Sequence, residues 1–142
     1  EYQAKKKPNQ PIIDGLLKAL LAKFLESATP NISKNGNSTI FQKFIDLLSK
    51  ENELTNKVNH YAKLLNTTPQ NLNAICRKET GQSSAEILSE HIINEAKRLL
   101  LYTDITVSEI AHRLDFKDNS HFSKYFKRHV DQTPVGFRSD NN

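Results

Sequence analysis

The chain has 142 residues, 37% of them hydrophobic, with 20 Lys/Arg against 16 Asp/Glu and a formal net charge of +4. That supplies one moderate core or two small ones. One Cys and no long apolar run leave no basis for a disulfide framework, a Cys-based zinc knuckle or a membrane span of ~18–20 residues. The lone Cys fits a reducing cytoplasm, the expected compartment, and no segment reads as a signal peptide. The absence of any Met points to a chain cut from something longer.

Residues 1–10 are polar, with Lys5, Lys6 and Lys7 reading as a solvated tail. Pro11 then opens a strongly periodic helix. Ile12, Leu16, Leu20 and Phe24 fall on one i,i+4 row, and Ile13, Leu17, Leu21 and Leu25 on the next. We assign Ile12, Leu16, Leu17, Leu20, Leu21 and Phe24 to dimerisation or docking, ahead of packing on the rest of the chain or lying on a membrane surface. Residues 1–30 form this segment, 31–40 have linker composition, and 41–142 form a separate domain.

Within that domain, Ile40–Ser49 reads as a helix with Phe41, Phe44, Ile45 and Leu48 inward. Thr55 is placed to cap the next helix, which ends near Leu65. Thr68 before Pro69 is a cap followed by proline at the first helical position. Gly81 suits a left-handed stop. Ser83 with Glu86, and Thr106 with Glu109, have capping-box spacing. The first opens a long helix through Leu101, and Thr133-Pro134 starts a short last helix. Alternating strand patterns are almost absent. The expected fold class is all-α: two helix-turn-helix subdomains (about 55–81 and 106–130) joined by a connecting helix (about 84–101), preceded by an extra amphipathic helix.

The two subdomains are copies. The offset is 49 before the turn and 50 after it, with one extra turn residue in the second copy. Ala62 pairs with Ala111, Leu65 with Leu114, Leu72 with Phe122, Cys76 with Phe126, and Arg77-Lys78 with Lys127-Arg128. A helix-turn-helix places the start of its second helix in the major groove, where base edges carry a distinguishable code. Two such helices on one face of a duplex sit about 34 Å apart, and the connecting helix spans about 27 Å, the right order for a spacer.

The expected exposed positions of the first recognition helix are Gln70, Asn71, Asn73 and Ala74. Those of the second are Asn119, Ser120, Ser123 and Lys124, with His121 beside them. Side-chain amides read adenine bidentately. From Phe41 onward there are 14 Lys/Arg and 13 Asp/Glu, so basic charge acts locally. Arg77, Lys78, Lys117, Lys127 and Arg128, with the N–H groups at helix starts, are assigned to phosphate.

Three segments carry a family resemblance: YAKLLNTTPQNLNAICRKETGQSSAEIL, INEAKRLLLYTDITVSEIAHRLDF and KDNSHFSKYFKRHVDQTPVGFR. From about Phe41 to Arg138 the chain resembles the DNA-binding domain of the AraC/XylS family of bacterial transcription regulators. The resemblance implies two helix-turn-helix units on one connecting helix, binding double-stranded promoter DNA as activator or repressor. It places base reading at the eight recognition-helix positions above. It further implies RNA polymerase as a partner if the protein activates, a homodimer in the full-length protein, and an effector bound by a missing amino-terminal domain. Bound to DNA, the protein would sit with the nucleoid. The chain departs from the family pattern at Asp115 and Asp131, where Gly is usual, at Ala74, where many members carry Arg, and at Ile92, where a basic residue is common.

Other chemistry finds little support. The five His residues show no i,i+4 pairing, so no metal, cofactor or general-base role is assigned. Cys76 sits at the repeat position of Phe126 and reads as core. No nucleophile–base pair or Gly-rich loop suggests an enzyme. The alternative to a DNA-binding regulator is a protein-interaction module that keeps the fold without reading DNA.

Overall fold

The computed structural model describes residues 36–50 and 54–142, and the expectations for residues 1–30, including the dimerisation positions, lie outside them. The described residues form α1 (Gly36–Leu48), α2 (Val58–Leu64), α3 (Pro69–Thr80), α4 (Ser84–Tyr102), α5 (Val107–Arg113), α6 (Asn119–Val130) and α7 (Pro134–Asp140). They contain no strand, and none of their helices is long and apolar enough to cross a membrane.

Most helix starts follow from their caps. The Thr68 hydroxyl accepts the Asn71 N–H, and Thr133 accepts from Gly136, each with proline at the first helical position. Ser83 with Glu86 and Thr106 with Glu109 close complete capping boxes. Glu86 and Glu109 are held below the usual carboxylate range, chiefly by the backbone N–H each accepts. Gly81 ends α3 at φ +79°, as expected, and Asp131 ends α6 in the same left-handed region at φ +61°.

Two expectations need correction. Residues 36–40, assigned to a linker, are the first turn of α1. Gly, Asn, Ser and Thr are at home where N–H groups lack intrahelical partners, so composition there does not separate a linker from a helix start. Thr55 does not cap α2. The N-cap of α2 is Lys57, with no side-chain capping bond, and Thr55 is buried with its N–H donated to Tyr61 Oη at 3.1 Å.

One apolar cluster runs through both halves. Phe44, Leu48, Tyr61, Ala62, Leu72 and Cys76 join Ile110, Ala111, Leu114, Phe116, Phe122 and Phe126 by way of α4, which buries Ile87, Leu88, Ile92, Ile93, Ala96, Leu99 and Leu100. Burial pushes the Cys76 thiol up from its ordinary value, which suits the core role expected of it. Ile92 is fully buried, which explains an apolar residue at this point of α4.

Arg138 closes the far end of α4. Its Nε donates to Leu100 O at 2.9 Å, and its Nη2 reaches Thr103 O at 3.3 Å and Leu99 O at 3.5 Å. A guanidinium fork suits several carbonyls at the negative end of a helix dipole. Arg138→Ala should lower stability by about 2 kcal/mol. Arg138→Lys should recover less than half of that, because an ammonium does not span the same carbonyls. Urea unfolding of the three proteins measures both, and full recovery by Lys would rule out the fork geometry as the cause.

Candidate nucleic-acid interface

Each helix-turn-helix begins with a seven-residue helix, α2 or α5, and turns on a left-handed residue. Asn66 has φ +52° and Asp115 φ +59°, at the same place in the two copies. Their N–H groups bond back equivalently, Asn66 to Lys63 O and Asp115 to His112 O, both at 3.1 Å. Asn and Asp tolerate this conformation better than other non-Gly residues, so both turns form without glycine. The second turn has the extra residue read from the sequence. The insertion falls on Lys117, while Phe116, the counterpart of Thr67, packs inward, 6% exposed, with ring centroids 5.2 Å from Phe122 and 5.0 Å from Tyr125.

On α3, Gln70, Asn71 and Ala74 are exposed, as are Arg77 and Lys78 at its basic end. Asn71 Nδ2 donates to Thr67 Oγ1 at 2.7 Å. On α6, Asn119, Ser120, Lys124, Lys127 and Arg128 are exposed, and Lys117 is exposed just before it. Arg128 lies over the Tyr125 ring at 5.6 Å, and Tyr125 Oη donates to Ser89 Oγ of α4 at 2.7 Å. That bond ties the second recognition helix to the connecting helix.

Two expected base readers sit differently. Asn73 is half-buried, and its Oδ1 accepts the Ser84 N–H at 3.2 Å. A bidentate adenine contact needs that oxygen, so the side chain as placed is committed to the start of α4. Ser123 is also half-buried and donates to Asn119 Oδ1 at 3.1 Å. The repeat explains why Ser123 does not mirror Asn73. Ser84 corresponds to Pro134, which has no N–H to satisfy. The sequence carried this signal in the offset of 50, but it becomes visible only once Asn73 and Ser84 are seen to meet.

The helix starts also differ from expectation as phosphate sites. Thr68 takes the Asn71 N–H and Asp118 Oδ1 takes the His121 N–H at 2.7 Å. The start of α6 therefore carries a carboxylate, which does not favour an anion there. His121 packs its ring on the edge of Phe116, with centroids 5.7 Å apart.

Two exposed, basic-ended second helices on one shared helix define a double helix-turn-helix protein of the DNA-binding class. The family model described as "Helix-turn-helix domain" matches residues 61–140. The chain belongs to this family, in its AraC-type form. It is 31% identical over 111 residues to the HTH-type transcriptional activator RhaR of Enterobacter sp. (strain 638), covering 78% of this chain and 39% of that protein. The match thus spans about two-fifths of the relative's length. The C-terminal domain of AraT, a response regulator from Geobacillus stearothermophilus, superposes with a TM-score of 0.63 at 25% identity, covering 71% of this chain and 84% of that one. The DNA-binding domain of AdpA, solved in complex with a target DNA, shares the fold with a TM-score of 0.61 at 22% identity, over 70% and 90% of the two chains. Fold and family are those of transcription regulators rather than enzymes.

If Asn73 serves the start of α4, Asn73→Ala should cost about 1 kcal/mol. The same change in a Ser84→Pro background should cost almost nothing, because proline removes the donor and is favoured at this position. Pro134 is fully buried at the equivalent place, so the ring has a precedent in this fold. A double-mutant cycle in urea decides it, and equal costs in both backgrounds would refute the assignment.

Proposed function

We propose that the chain is the DNA-reading part of a bacterial transcriptional regulator, activator or repressor, which sets α3 and α6 into two successive major-groove segments. The observation that carries this reading is the pair of exposed, basic-ended recognition helices packed on one shared core. Helix α4, 19 residues long, spans about 28 Å, of the order needed between segments one turn of DNA apart.

Gln70, Asn71 and Ala74 on α3, and Asn119, Ser120 and Lys124 on α6, are the proposed base readers. An exposed Ala methyl suits contact with a thymine methyl, and the Gln70 amide suits adenine, as do those of Asn71 and Asn119 once they exchange their exposed Thr67 and Ser123 partners for a base. The first helix therefore leans toward A·T pairs. Arg77, Lys78, Lys117, Lys127 and Arg128 are proposed to grip phosphate, which positions without specifying. Lys127 and Arg128 rank first, because their exposed end of α6 has Tyr125 held to α4 beneath it.

Further partners belong to the same proposal. RNA polymerase is the partner if the protein activates, and any effector is bound by an amino-terminal domain of which residues 1–30 are the tail. Dimerisation through the Ile12–Phe24 apolar face draws on the sequence alone. A cytoplasmic protein found on the nucleoid is the matching location.

Fluorescence anisotropy against DNA selected from a random pool tests the reading at several salt concentrations. Affinity should fall with a log–log salt slope of several units. Lys127→Ala should weaken binding to all sequences alike and reduce that slope by about one. Gln70→Ala should lower discrimination between selected and random DNA more than it lowers affinity for random DNA. No binding at low salt to any DNA would overturn the proposal and favour the interaction-module alternative.

A further inference from the structure

Asp115 stands out among the turn residues. A glycine would adopt its left-handed backbone without steric penalty. Asp brings instead a carboxylate, and that carboxylate reaches across to the other helix-turn-helix unit. Thr55 Oγ1 donates to Asp115 Oδ2 at 2.7 Å, and Lys57 Nζ donates to the same oxygen at 2.9 Å. Both donors lie about 60 residues away in sequence, ahead of α2. Among the described residues, the side-chain hydrogen bonds that join the two units directly, without passing through α4, are these two.

The two donors are not equivalent. Lys57 and Asp115 are 65% and 49% exposed at their side chains, so water screens that ion pair. Thr55 is 7% exposed and its backbone is fixed. Its N–H is held by Tyr61 Oη, and Tyr61, 2% exposed, packs edge-on against Phe44 of α1 with centroids 5.7 Å apart. The Thr55 hydroxyl is thus anchored to the core of the first unit, whereas Asp115 is part of the turn that aims α6. A short hydrogen bond from an anchored donor to a charged acceptor constrains orientation as well as distance. The two donors, in turn, hold the Asp115 carboxyl below its ordinary range, Thr55 first and Lys57 next.

We propose that Asp115 is a positioning residue: by holding Thr55 it fixes the pose of the second recognition helix relative to the first, and so sets the spacing between the two DNA segments the protein accepts. The spacing part rests on the DNA-reading proposal above, whereas the pose does not. The left-handed Asp is then retained for its side chain, and exchange for glycine relieves the backbone while releasing the clamp.

The test has two arms. In the first, spin labels at Glu79→Cys and His112→Cys, both exposed sites on different units, report the distance distribution between units without DNA. Cys76 is buried and stays unlabelled. Asp115→Gly and Thr55→Val should broaden that distribution, Thr55→Ser should restore it, and Lys57→Ala should leave it close to the unsubstituted protein. Distributions for Asp115→Gly and Thr55→Val that superimpose on the parent would overturn the clamp.

In the second arm, DNA selected by the parent protein is lengthened or shortened by one base pair between its two half-sites. Discrimination against the altered spacing should fall about fivefold in Asp115→Gly and Thr55→Val, at the low end of coupling between sites. Unchanged discrimination despite a broadened distribution would overturn the spacing role. Should the parent select no DNA, the regulator reading fails and the label distances alone decide the clamp.

Discussion

Seven apolar residues of α4 are buried, and they cover roughly 240° of arc at ~100° per residue, far beyond the stripe of an ordinary surface helix. Each helix-turn-helix uses part of that arc as its own core. Phe44, Tyr61, Leu72 and Cys76 close one side, and Ile110, Leu114, Phe122 and Phe126 close the other. Single cores of so few residues are marginal in general, and here the two three-helix arrangements share one apolar cluster through α4. The same burial makes the two recognition helices parts of one object. In the proposed reading, two helices carried on one core would meet DNA with less ordering to be done on association.

Around that shared helix the duplicated unit has diverged in ways that physical chemistry accounts for. At the start of α4 the first helical N–H is satisfied by Asn73, whereas at the start of α7 the donor is absent because Pro134 stands there. Both left-handed turns survive without glycine, one on Asn66 and one on Asp115. Even a surface pair repeats: Gln82 donates to Glu90 and Gln132 to Asp140, each at 2.7 Å and eight residues apart. Differences therefore fall where a local need changed, and they give the two recognition helices different surroundings. One begins at a neutral Thr68 cap and carries amides; the other begins at a charged Asp118 cap and carries more lysine.

How much of this was legible in the sequence depended on range. Helix starts at Thr68, Ser83, Thr106 and Thr133 were readable because a cap and its N–H lie within three residues. The repeat, the all-helical class and the core positions followed from periodicity. What sequence reasoning missed was held by partners far along the chain. Thr55 looked like a cap because its hydroxyl precedes a helix, yet its partner is 60 residues away. Asn73, expected among the base readers, accepts the Ser84 N–H eleven residues on, a contact that the helix pattern does not signal. Arg138 was only one more basic residue until its carbonyl partners, 35 to 39 residues earlier, came into view. Gly36–Thr39 failed for another reason, since the residues that suit a linker also suit a first turn.

The central claim is that one shared helix presents two reading helices to DNA as a unit. Missing-base interference, which reports contacts to all four bases, tests it most directly on a fragment selected from a random pool. Two patches of interference are expected on one face of the duplex, centred about 10 bp apart. One patch alone, with full affinity retained when the DNA beyond it is removed, would contradict it.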